Sequence, residues 1–154
     1  KAISTFQPLP HRLQRIGRYK GVTFYDDAIS TTPESTIAAL QALQNVETVF
    51  LGGEERGYRY EALAEMLYAH GVKNIVLFPE SGKNMLKPIL SVYPSAPTLL
   101  ETSSMEEAVA FAFKHTSSGR ICLLSTASPS YSLWNNFEEK GKEFQLYVAS
   151  VGNE

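Results

Sequence analysis

The feature that most constrains the fold is a set of short, unbroken apolar runs: "ETVFLGG", "KNIVLFP", "APTLLE" and "GRICLLS". A strand that is apolar on both faces is buried on both faces, which calls for a parallel sheet covered by helices. Helical patterns fill the gaps between these runs. In "PESTIAALQAL", Ile37, Leu40 and Leu43 fall three apart. "YEALAEMLYAHG" offers Gly71 as a C-terminal cap. "GKNMLKPILSVY" carries Pro88 near its first turn, and "SMEEAVAFAFKHTSSG" opens with the capping pattern Ser103-x-x-Glu106. The closing helix is expected over "SLWNNFEEKGKEFQLYVASVG", with a stripe of Leu133, Phe137, Gly141, Phe144 and Val148. Gly141 on that stripe predicts a close approach, not a break. The opening "LQRIGRYKGVTFYDD" differs: it alternates about a Tyr19-Lys20-Gly21 turn, the signature of a hairpin. The predicted fold is doubly wound α/β, Rossmann-like, mostly parallel, with an N-terminal antiparallel hairpin strand.

The chain has 154 residues, 44% of them apolar, enough for a single domain with a full core. Fourteen basic and 16 acidic residues leave a net charge of −2, which speaks against a nucleic-acid partner. No apolar run approaches the roughly 20 residues of a membrane span. The lone Cys122 lies within a strand and reads as core; with no disulfide to form, a cytoplasmic setting is expected. The chain starts at Lys1 without a leader pattern, and "FQPLPHR" reads as the end of an interdomain linker, assigned to residues 1–10. A piece of a longer protein is expected.

In open α/β sheets ligands bind beyond the C-terminal ends of the strands. Here those ends are "DDAISTT", "GGEERGY", "PESGK", "ETSS" and "STASPSYS", rich in hydroxyls and supplying Arg56 and Lys83. Asp26 and Asp27 are adjacent on a strand, so they point to opposite faces and do not form an acid–base dyad. Pro33 suits the first helical position, with Thr31 or Thr32 as N-cap. That turn is either an anion site or simply a well-capped helix. No Walker A pattern, G-x-G-x-x-G or G-x-S-x-G elbow is present, and His11, His70 and His115 lack metal-ligand spacing. His70 and His115 sit near helix ends, where they favour the dipole, and Trp134 reads as packing.

Three segments together carry a resemblance: "LPHR", "DDAISTTPEST" and "LLSTASPSYSLWNNFEEKG". They resemble the C-terminal domain of the Mur ligases, ATP-dependent amide-bond-forming enzymes of peptidoglycan synthesis, and in particular the branch that adds D-glutamate to UDP-N-acetylmuramoyl-L-alanine through an acyl phosphate. The resemblance implies two further domains, N-terminal and central. The central one would carry the P-loop and the Mg2+ ligands, so no catalytic or metal-binding residue is expected in this chain. The third domain would bring in the amino acid and close over ATP.

Residue by residue, the resemblance sets Arg12 at the nucleotide, His11 beside the base and Asp27 at the ribose. It sets Thr31, Arg56, Ser130, Tyr131 and Phe137 around D-glutamate. Lys83 is the runner-up to Arg56 as partner of the side-chain carboxylate. Where the family pattern reads D-S-K-A-T-N-P, this chain has Ile29 in place of the lysine. Two other readings fit the same residues: a stand-alone Rossmann-like binding module, or the equivalent domain of another Mur ligase or a folylpolyglutamate-type ligase.

Overall fold

The computed structural model of the chain describes residues 9–154. The linker reading for residues 1–8 therefore lies outside the described residues. Strands β1 (Gln14–Tyr19) and β2 (Val22–Asp26) form the expected hairpin. Lys20 and Gly21 both have positive φ, 52° and 86°. That is what a two-residue type I′ connection requires, and its twist matches the flanking strands. The rest alternates: α1 (Pro33–Ala42), β3 (Val46–Gly52), α2 (Glu61–Ala69), β4 (Asn74–Phe78), a widened turn Gly82–Leu86 leading into α3 (Lys87–Leu90), β5 (Thr98–Glu101), α4 (Met105–His115), β6 (Ile121–Leu124) and α5 (Phe137–Gly152).

The six strands lie in the order β1-β2-β6-β3-β4-β5. Only the β1–β2 pair is antiparallel. Every residue of β3 and β4 is buried, Glu47, Thr48 and Asn74 included, and their apolar runs, residues 49–51 and 75–78, are covered on both faces. Successive residues serve opposite layers. Val49, Leu51, Ile75 and Leu77 meet Leu40, Leu63, Leu67 and Leu90 from α1, α2 and α3. Phe50, Val76, Phe78 and Leu124 meet Met105, Val109, Phe144 and Val148 from α4 and α5.

The helix ends follow the predicted chemistry with two corrections. Thr32, not Thr31, caps α1, in a reciprocal box in which Ser35 N donates to Thr32 Oγ1 and Thr32 N to Ser35 Oγ, both at 3.2 Å. Gly71 ends α2 with φ 70°; its N–H donates to Tyr68 O and that of Val72 to Leu67 O, the Schellman arrangement. The expected Ser103–Glu106 cap of α4 falls one residue early: Ser104 is the N-cap and accepts from Glu107 N at 3.1 Å. A serine pair offers the same local pattern in two registers, and burial of Met105 selects between them. The closing helix starts at Phe137, capped by Asn136, not at Ser132. The preceding residues turn to bury Trp134 against Phe78, with ring centroids 5.3 Å apart.

Candidate functional site

The C-terminal ends of β2, β3, β4 and β6 converge at one edge of the sheet. Gly52 N donates to Thr126 O at 2.9 Å, Glu54 N to Pro129 O at 2.6 Å, and Ser81 N to Gly53 O at 2.8 Å. Hydroxyls tie the same loops from within: Tyr60 Oη and Ser128 Oγ are 2.6 Å apart, and Ser81 Oγ accepts from Gly53 N. A crevice therefore opens over a stiff floor, as the strand order predicts.

The adjacent aspartates are both buried and face different partners. Asp26 Oδ2 meets His11 Nδ1 at 2.6 Å and accepts from Gln145 Nε2 at 2.8 Å; its Oδ1 accepts from Ala28 N. Asp27 Oδ2 accepts from Ser30 Oγ at 2.6 Å and Ser125 Oγ at 2.9 Å, and its Oδ1 accepts from Leu13 N. Burial pushes the Asp27 carboxyl above the usual range, against the pull of Ser30, Ser125 and the Leu13 N–H. Both acids therefore anchor the segment that enters the domain, through His11 and Leu13. Gly141 makes room for it: a Cβ there would lie 2.2 Å from His11 Nδ1 and 2.6 Å from Asp26 Oδ2. The close approach predicted for this glycine is thus to side chains.

Two cavities flank Ile29, which lines both. One, of about 290 Å³, is lined by Arg12, Leu13, Asp27, Ser30, Ser35 and Ala38. The other, of about 240 Å³, gathers Thr31, Ser130, Tyr131 and Phe137 with Asn136 and Lys140. Of the residues predicted at a site, the second cavity brings four together, and the first brings Arg12 to Asp27. His11 is turned under α5 instead, edge-on to Phe137 at 6.2 Å. Arg56 does not line the second cavity; its guanidinium carbon lies 6.0 Å from the ring centre of Tyr131, which does, and it pairs with Glu54 at 2.7 Å. Lys83 lines a separate hollow with Pro79, Glu80 and Asn84.

The start of α1 is a poorer anion site than its sequence suggests. Capping consumes the Ser35 N–H, and Pro33 has none. What is left in the first turn is chiefly the Glu34 N–H, beside that residue's own carboxylate. The positive charge of the cavity comes from Lys140, which sequence reasoning missed. Lys140 is 1% exposed, and its Nζ donates to Thr126 Oγ1 at 2.7 Å and Ser130 Oγ at 3.5 Å. The signal was present: Lys140 follows Phe137 by three and precedes Phe144 by four, which puts it on the buried stripe.

Residues 11–128 match the family described as the Mur ligase, glutamate ligase domain. The chain belongs to the Mur ligase family. It is 32% identical over 156 residues to the UDP-N-acetylmuramoylalanine–D-glutamate ligase of Acetivibrio thermocellus, covering 98% of this chain and 33% of that protein. The enzyme of the same name from Streptococcus pyogenes is 34% identical over 145 residues, covering 94% of this chain and 31% of that protein. The chain thus spans about a third of the length of these curated relatives. Among solved structures it resembles the MurF ligase of Thermotoga maritima in complex with ADP, with TM-score 0.57 at 16% identity over 96% of this chain and 33% of that one. It also resembles the bifunctional folylpolyglutamate synthase/dihydrofolate synthase of Yersinia pestis, with TM-score 0.58 at 14% identity over 94% of this chain and 31% of that one. These two likenesses concern the fold. Among the described residues of this Mur ligase domain, no helix is long and apolar enough to cross a membrane.

Proposed function

We propose that this Mur ligase domain binds the incoming amino acid of an ATP-dependent ligase that joins D-glutamate to UDP-N-acetylmuramoyl-L-alanine. The observation that carries this reading is the second cavity, where Thr31, Ser130, Tyr131 and Phe137 surround a space of about 240 Å³ beside buried Lys140. A cavity that small, walled by hydroxyls, an aromatic ring and a cation, suits a short acidic amino acid. The names of the 32–34% identical relatives support the same substrate. Arg56, next to Tyr131 of that cavity, is assigned to a carboxylate of the bound amino acid, for which its planar fork is suited.

The first cavity fits a nucleoside. Exposed Arg12 offers a charge, and Asp27, with three hydrogen bonds on two oxygens, keeps lone-pair capacity for a ribose hydroxyl. The His11–Asp26 contact, 2.6 Å long, holds the segment that presents Arg12. ATP, once bound with Mg2+ held by the central domain, would supply the phosphoryl group that activates the carboxylate to be joined to the amine. This chain's residues orient the amine, exclude water and close the site.

In the full-length protein, ADP and phosphate release is expected only with both D-glutamate and the UDP-sugar present, and the chain alone is expected to turn over no ATP. Arg56→Ala should raise the Michaelis constant for D-glutamate at least about tenfold, since an unpaired substrate carboxylate costs roughly 2–5 kcal/mol when desolvated. The constants for ATP and the UDP-sugar should stay nearly unchanged. An equal loss for all three substrates would sink the Arg56 assignment. Turnover with a folate and L-glutamate instead would replace the reading itself.

A further inference from the structure

We propose that Lys140 determines specificity in this domain: its ammonium, set in the wall of the cavity formed by Thr31, Ser130 and Phe137, receives one carboxylate of the incoming amino acid. The proposal rests on the amino-acid reading of that cavity and adds a residue and a charge to it.

The charge balance around Lys140 motivates the assignment. Among the described residues no carboxylate comes within ion-pair distance of its Nζ. Its hydrogen-bond partners are the Thr126 and Ser130 hydroxyls, which solvate a cation without neutralising it. The two acids whose charge reaches it, Asp26 and Asp27, already accept three contacts each, from His11, Gln145 and Ala28 N and from Ser30, Ser125 and Leu13 N. Nor does the helix dipole favour a cation here: Lys140 lies in the first turn of α5, where acids are preferred. A buried ammonium without a counter-ion is costly. Lys140 lines an open cavity, so an anion from solution can supply what the fold withholds.

The electrostatics agree. Burial draws the Lys140 ammonium down to about 8, while Asp26 and Asp27 hold it up. The other titratable groups nearby are His11 from the entering segment and, on α5 itself, Glu139 and Glu143. Glu139 is held by Asn135 and Glu143 by Trp134 Nε1. None of them replaces a counter-ion inside the cavity. A bound carboxylate therefore raises the affinity of Lys140 for its proton, and binding near pH 8 takes a proton up.

Proton uptake is what a merely structural lysine would not show. D-Glutamate is titrated calorimetrically into the full-length enzyme carrying the UDP-sugar and a non-hydrolysable ATP analogue, at pH 8, in buffers of different ionisation heat. The wild type is expected to take up about half a proton more per D-glutamate than Lys140→Arg, whose side chain stays charged throughout. Lys140→Met should weaken D-glutamate binding roughly tenfold or more and leave the ATP constant in place, which also certifies its fold. An amide at the Lys140 end removes the difference in uptake, so D-glutamine and D-isoglutamine tell which carboxylate it takes. Equal proton uptake in wild type and Lys140→Arg, with D-glutamate tightly bound to both, overturns the proposal and leaves the amino-acid reading standing. No D-glutamate binding to the wild type overturns both.

Discussion

Gly141→Val is expected to lower the unfolding free energy by about 3–5 kcal/mol, among the largest effects of any single change in the domain. In an ordinary helix interior a glycine is the weaker choice by roughly 1 kcal/mol, so replacing it should help. Here the added Cβ would sit 2.2 Å from His11 Nδ1 and 2.6 Å from Asp26 Oδ2. His11 is 8% exposed and Asp26 fully buried, so neither swings clear into solvent. The imidazole must leave, and Asp26 then keeps only Gln145 and the Ala28 N–H. Gly141→Ala should show the same sign with a smaller loss. Denaturant midpoints at constant slope provide the measurement. A change below about 1 kcal/mol for valine would mean that α5 shifts to make room, and that the His11 contact is not rigid. Because Arg12 follows His11, the valine variant of the full-length enzyme should also bind ATP more weakly.

Lys140→Met is expected to act in the opposite direction on stability. The ammonium is drawn from its ordinary 10.5 to about 8 by burial. A base whose folded value lies below its unfolded one releases its proton earlier in the folded chain. The unfolded state therefore binds more protons between those values, and stability rises as pH climbs through that window. Below about pH 8 the whole penalty is present, roughly 3 kcal/mol for a shift of that size. Losing the Thr126 and Ser130 contacts returns about 1 kcal/mol, which leaves a net gain near 2 kcal/mol at pH 7. That gain should fall to about zero near pH 10 and turn into a loss of up to about 1 kcal/mol above pH 10.5, where the penalty has gone and only the lost contacts remain. Paired denaturation curves at pH 7 and pH 10 test it. A variant less stable by the same amount at both would show that Lys140 serves as a neutral-like tie of the Thr126 loop. A gain in stability with a loss of D-glutamate binding is what a residue retained for its ligand would give.

Much of the site was legible for a local reason. Polar residues at the ends of apolar strands mark the crevice, because a parallel sheet leaves nowhere else for them. The opposite facing of Asp26 and Asp27 follows from the pleat alone. The glycine on the α5 stripe announced a close approach for the same kind of reason, since a gap in an apolar face must be filled by something else. The motifs that carry the family resemblance lie in the same stretches, which is why family and fold were reached together.

What was misjudged depended on partners distant in sequence. Lys140 goes unremarked in the sequence, because what marks it, the Thr126 and Ser130 hydroxyls at its ammonium, comes from the turn before α5. His11 sits fifteen residues from Asp26 in the chain, and its ring is committed to that carboxylate and to Phe137. The anion-binding promise of the α1 start faded because Ser35 turned back to complete the cap.

The sequence by itself determined the doubly wound layers, the hairpin, the glycine cap of α2, the crevice edge and the Mur ligase kinship. Each follows from periodicity or from motifs confined to a few neighbouring residues. Only the tertiary structure decided that β6 lies between β2 and β3, that Ile29 divides two cavities, that Arg56 approaches Tyr131 while Lys83 lies apart, and that a lysine with no carboxylate at ion-pair distance among the described residues is buried in the cavity of Thr31. Those outcomes depend on which distant surfaces meet, and on the cost of burying a charge where they do.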